Sequence, residues 1–194
     1  RDPFPVTDPT TGDEYILFSA SKPGSASDWN GLVGVARREG GVCTFLPPLV
    51  DANGLNNELE RPHMVRHGER FYLFWSTQAK RFAPGIGAPT GLYGMVADRL
   101  SGPWRPLNGS GLVAANPIEE PTQAYCWWVM GEGDVISFVD YWGLDGVPRG
   151  SDAAFRRAVD DDSVKVIVLG GTGKHFSAGH DIGTPGRDVN RSFK

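Results

Sequence analysis

The chain has 194 residues, 40% of them hydrophobic and 22% charged, with 19 basic against 23 acidic side chains and a net charge of −4. It is long enough for one large or two small domains with a buried core. No apolar run approaches the roughly 20 residues a membrane helix needs, and scattered basic residues in an acidic chain argue against nucleic acid as the main partner.

Taken from the start, Arg1-Asp2-Pro3-Phe4 carries neither an initiating methionine nor a signal peptide, so the chain reads as cut from something longer. From Arg1 to about Gly143, turns rich in Asp, Gly and Pro alternate with short apolar or alternating runs. Twenty-six glycines, fifteen prolines and six tryptophans favour the same rhythm of short strands, and such aromatics also suit carbohydrate. Strands are expected at about Glu14 to Ala20, Gly31 to Ala36, Pro62 to Arg66, Arg70 to Ser76, Leu92 to Ala97, Ala124 to Met130 and Asp134 to Tyr141. Turns fall at Thr10 to Asp13, His67 to Glu69, Ser101 to Pro103 and Gly131 to Gly133. This all-β pattern fits a sandwich, a barrel or propeller blades alike.

The densest chemical signal is Asn57-Glu58-Leu59-Glu60-Arg61-Pro62-His63, followed by the apolar run Phe71 to Ser76. In a strand, Glu58 and Glu60 point one way and Leu59 the other. Paired carboxylates beside a guanidinium suit acid/base work on a sugar, because the neighbours decide which carboxyl keeps its proton. The alternative is a solvated charge cluster. His63 and His67 share a strand face too widely spaced for a metal and are read as packing or surface residues. Arg66, Lys80 and Arg81 read as solvated or rim residues, and Trp75, Trp127 and Trp128 as core. Cys43 and Cys126 lack any metal spacing and read as two isolated buried thiols, with one disulfide as the alternative in an oxidising compartment.

After Gly146 the character changes. Ser151-Asp152 starts a helix-like stretch to Val159, and Val164 to Leu169 reads as a buried strand of the α/β kind. Gly170-Gly171-Thr172-Gly173-Lys174-His175 imitates a phosphate loop, but Val168 stands where a glycine is needed and His175 where Ser or Thr is needed. No cofactor and no metal are expected.

Arg1-Asp2-Pro3, Asn57 to His63, Phe74-Trp75-Ser76-Thr77-Gln78, Gly91 to Val96, Leu107 to Leu112 and Gln123 to Trp127 together resemble glycoside hydrolase family 68, the levansucrases, inulosucrases and related β-fructofuranosidases. The resemblance reaches at least Tyr141 and implies a partial five-bladed β-propeller over residues 1–147 with a funnel for sucrose or fructan. It implies a retaining mechanism in which Glu60 is the general acid/base and Asp2 stabilises the oxocarbenium-like transition state. Arg1, Glu58 and Arg61 match sugar-binding neighbours, Gln78 an acceptor-side position, and Tyr125 a funnel wall. The family is mostly secreted. Its nucleophile, an aspartate in a Trp-Asp-x-Trp type motif, lies upstream of Arg-Asp-Pro, so the chain alone is expected to turn over little or no sucrose. A non-catalytic sugar-binding module is one alternative; a function on CoA thioesters, carried by the carboxyl-terminal segment, is another.

Residues 148–194 read either as a diverged tail of the first family, with Arg156-Arg157 and Gly170-Gly171-Thr172 as its remnants, or as a segment with a second resemblance. Lys174-His175-Phe176-Ser177-Ala178-Gly179-His180-Asp181-Ile182 is similar to the amino-terminal part of the enoyl-CoA hydratase (crotonase) family, an α/β fold. That resemblance makes the His180 amide one oxyanion donor for a CoA thioester, with the remaining catalytic groups beyond Lys194.

Overall fold

The computed structural model describes residues 1–116, 118, 119, 121 and 124–139. The expected helix after Ser151, the strand from Val164, the α/β segment and His180 lie outside them.

Three antiparallel sheets make up the described chain. The first is ordered β1 (Phe4–Thr7), β2 (Glu14–Ser21), β3 (Gly31–Glu39) and β4 (Val42–Asp51). In the second, β5 (Glu60–His67), β6 (Arg70–Thr77) and β7 (Gly91–Ala97) pair in sequence, and β7 also pairs with β8 (Arg105–Pro106) and β9 (Leu112–Ala115). The third is a hairpin of β10 (Ala124–Val129) and β11 (Val135–Val139). Among the described residues there is no α-helix, only the 3-10 turn Ala79–Arg81.

All seven expected strands are present, each starting within two residues of its expected start; β3 runs to Glu39, three residues past its expected end, and the end expected at Tyr141 lies outside the described residues. The reading missed β1, β4, β8 and β9, which are short or lie at sheet margins. β4 contains Pro47-Pro48, which cannot donate to a ladder. It tolerates them as an edge strand whose register shifts between the pairs Val33↔Val50 and Val35↔Leu46. Edge position also corrects one expectation: Cys43, in β4, is exposed, whereas Cys126 is buried, and both are free thiols.

The alternation of each strand supplies the packing. Leu17, Val33 and Val35 of the first sheet meet Met64, Leu73, Trp75 and Tyr93 of the second in one buried cluster, with Leu59 between them. A smaller cluster joins Phe74 and Leu92 to Trp127 and Val129 of the hairpin. Trp75 and Trp127 are core residues as expected, but Trp128 is 37% exposed and lies on the ring of His63. Strand order and packing thus bring three points together: the segment before β1, the start of β5 and the start of β10.

Candidate active site

Glu60 is the first residue of β5, while Glu58 stands two residues earlier in the connecting loop, not in the strand. The alternation still works locally. Leu59 is 2% exposed and anchors the loop in the core, with its carbonyl accepting from Ser19 Oγ at 2.6 Å. The flanking carboxyls turn to the other side and lie within hydrogen-bonding reach of each other. Asn56, itself buried, fixes the approach: its Nδ2 donates to Thr77 Oγ1 at 2.9 Å and its Oδ1 accepts from the Glu58 amide at 2.6 Å.

Only 9% of the Glu58 side chain is exposed, which rules out a solvated charge cluster. Arg81 Nε lies 2.5 Å from Glu58 Oε2, although its N–H is not aligned on that oxygen, and Arg1 stands 3.8 Å from Oε1. Burial, reinforced by the hydrogen bond and the charge of Glu60, nevertheless holds the Glu58 carboxyl above its ordinary range against both guanidinium groups. Arg81, its side chain 41% exposed, is thus a rim residue as expected, but one tied to a buried carboxyl. Its ion pair spans more than twenty positions, and nothing local in the sequence announces it.

Glu60 Oε2 accepts a hydrogen bond from the Tyr125 hydroxyl. Burial, with Glu60 and Glu58 beside it, pushes the Tyr125 phenol far above its usual range, so it acts as a donor throughout the physiological range. Asp2 enters from the segment before β1, where Ser19 N–H donates to the Arg1 carbonyl at 2.8 Å and extends the sheet by one pairing. Its Oδ2 accepts from the Arg61 amide at 3.2 Å. The Arg61 guanidinium donates to Cys126 Sγ at 2.5 Å.

Backbone strain concentrates here. Among the described non-glycine residues, four have positive φ, and three of them are Asp2 (53°), Arg61 (50°) and Cys126 (70°). Arg61 lies where the β5–β6 register shifts between Glu60 and His63, and Cys126 where β10–β11 shifts between Tyr125 and Trp127. Each bulge turns a side chain out of its strand's alternation. Pro62 fits the first bulge because no ladder donor is required of it.

The structure thus gathers Asp2, Glu58, Glu60, Arg61 and Tyr125, with Arg1 at the margin. Gln78 follows β6 at the start of the 3-10 turn, and no hydrogen bond among the described residues joins it to this cluster. Sequence reasoning did not place Arg81 or Cys126 at this cluster; His63, read as a packing or surface residue, is buried and makes two hydrogen bonds. Among the described residues, no group of three or more His, Cys, Asp or Glu side chains could hold a metal ion. A separate apolar cavity of about 550 Å³ lies beyond Leu59 and is lined by residues such as Trp75, Tyr93 and Leu112. Its lining includes Asp51 but none of the clustered carboxylates.

Residues 25–154 match the levansucrase/invertase family, glycoside hydrolase family 68. The levansucrase of Rahnella aquatilis is 35% identical over 197 aligned positions, covering 88% of this chain and 46% of the relative. A levansucrase of Pseudomonas syringae pv. actinidiae is 36% identical over 172, covering 75% and 40%. An inulosucrase from Halalkalicoccus jeotgali, solved with kestose, superposes with a TM-score of 0.70 at 41% identity, over 76% of this chain and 40% of that one. A β-fructofuranosidase catalytic domain from Microbacterium saccharophilum gives a TM-score of 0.65 at 27% identity. The chain therefore spans less than half the length of these relatives, and its sheets are part of a β-propeller. By family match, sequence identity and shared architecture, the chain belongs to glycoside hydrolase family 68, the levansucrase/invertase family.

Proposed function

We propose that this chain carries the acid/base half of a retaining sucrose-cleaving site, with Glu60 as proton donor and Asp2 as the carboxylate that holds fructosyl hydroxyls and stabilises the oxocarbenium-like transition state. The observation that carries the reading is the Glu60 carboxyl, held by the Tyr125 hydroxyl and within hydrogen-bonding reach of the buried Glu58. In the forward step Glu60 gives its proton to the glycosidic oxygen as the bond from fructosyl C2 to that oxygen breaks, and glucose leaves. In the return step the Glu60 carboxylate takes a proton from water or an acceptor sugar as its oxygen attacks C2. Glu58, Arg1 and Arg61 bind the sugar and tune the pair, with Tyr125 on the wall and Gln78 on the acceptor side.

Between those steps the fructosyl group is carried on a nucleophilic carboxylate, a role given to none of Asp2, Glu58 and Glu60. The chain alone is accordingly proposed to bind sucrose without turning it over. Calorimetry with sucrose, together with an assay for released glucose, tests both parts. Sucrose binds the unmodified chain, Asp2→Asn weakens it about tenfold or more because a charged hydrogen-bond acceptor is lost, and no glucose appears. Binding that ignores Asp2→Asn sinks the site assignment, and sustained glucose release sinks the claim of an incomplete site.

A further inference from the structure

Arg61 is held in a left-handed conformation, φ 50°, at a residue type that does not adopt it freely. Two hydrogen bonds clamp it there: its amide donates to Asp2 Oδ2 at 3.2 Å, and its carbonyl lies 3.0 Å from His63 Nδ1. A carbonyl can only accept, so Nδ1 carries the proton, and Nε2 is then free to accept from the Val129 amide at 2.9 Å. The ring is 1% exposed, stacks on Trp128 with centroids 4.4 Å apart and planes 10° from parallel, and lies against Phe74 and Phe4. Burial keeps the imidazole's pKa below its ordinary value, consistent with this neutral tautomer.

These contacts connect the two halves of the site. The peptide between Glu60 and Arg61 supplies the N–H that binds Asp2, and Val129 belongs to the strand whose Tyr125 binds Glu60. We propose that His63 is a positioning residue: the Nδ1–H it donates to the Arg61 carbonyl sets the bulge that aims Glu60 and Asp2 at one substrate, while the Val129 amide on Nε2 fixes the tautomer that makes Nδ1 the donor. This rests on the acid/base reading above. His63 touches no reacting atom, and it acts only through the backbone it holds.

The two ring nitrogens can be tested separately. His63→Asn presents an amide nitrogen near the position of Nδ1 and keeps the bond to Arg61. His63→Gln presents an amide oxygen near Nε2 and keeps the bond from Val129. Amide exchange measured by NMR reads the bulge directly at the Arg61 N–H, with the β2–β3 ladder as reference. In His63→Asn, the Arg61 N–H exchanges at nearly the unmodified rate; in His63→Gln, where the bond to the Arg61 carbonyl is lost and the bulge loosens, the bond from the Arg61 N–H to Asp2 opens more often and exchange is about tenfold faster or more. Sucrose affinity falls in the second variant and holds in the first.

Equal acceleration of Arg61 in both variants, or none in either, overturns the positioning role. Should either variant fail to fold, the ring nitrogen shifts of the unmodified chain decide, because a proton found on Nε2 contradicts the assignment. A chain that binds no sucrose at all defeats the sugar reading, while the Arg61 exchange still decides the role of His63.

Discussion

A carboxyl removed from water beside another carboxyl must either keep its proton or find cations, and Glu58 does some of both. Its folded pKa lies above the ordinary 4.5, so the folded state holds a proton that the unfolded chain has released. The stability this contributes is fully present below about pH 4.5 and is lost as pH rises through the raised value. Glu58→Gln removes the titration and leaves a neutral side chain of nearly the same shape. Urea unfolding followed from about pH 4 to pH 7 is expected to show the variant gaining on the unmodified chain as pH rises. A difference that stays flat across that range shows that Glu58 does not carry the shift. Glu58, Glu60 and Arg61 were legible in the sequence because they are adjacent in it. Arg81 and Tyr125 reach the same carboxyls from 23 and 65 positions away respectively, and only the packing of strands brings them there.

At the scale of elements, the site depends on where strands depart from regularity. Strand centres were readable because apolar alternation is a local signal. The bulges at Arg61 and Cys126 were not, since each arises from a mismatch with a partner strand and no single strand encodes it. The loop that carries Glu58 is pressed equally closely. A Cβ on Gly31 would lie 2.9 Å from the Asn56 carbonyl oxygen, 3.0 Å from the Asn57 carbonyl carbon and 2.6 Å from Leu59 Cδ1. On Gly34 its three nearest atoms all belong to the half-buried Phe18 ring, as near as 2.4 Å, a side chain that can shift against the exposed Phe45 without moving backbone. Gly31→Ala is therefore expected to cost about 1–3 kcal/mol by displacing the 56–59 backbone, and Gly34→Ala less. Thermal unfolding of the two variants checks the order, and a larger loss at Gly34 contradicts it.

At the scale of the whole molecule, the three sheets converge so that residues separated by more than a hundred positions, Asp2 and Tyr125, stand on either side of Glu60 and Arg61. An all-β fold was readable from composition and turn spacing, but sandwich, barrel and propeller share those signals; the ordered motifs and the match over residues 25–154 separate them. The apolar cavity is the competing location for a ligand, and its lining offers few groups to the many hydroxyls of a sugar. Backbone amide shifts recorded while sucrose is added to the isotope-labelled chain distinguish the two places. Saturable shifts centred on Asp2, Glu60, Arg61, Tyr125 and Cys126 are the predicted result; shifts confined to cavity residues such as Tyr93 and Leu112, or none at all, would contradict a sugar site built around Glu60.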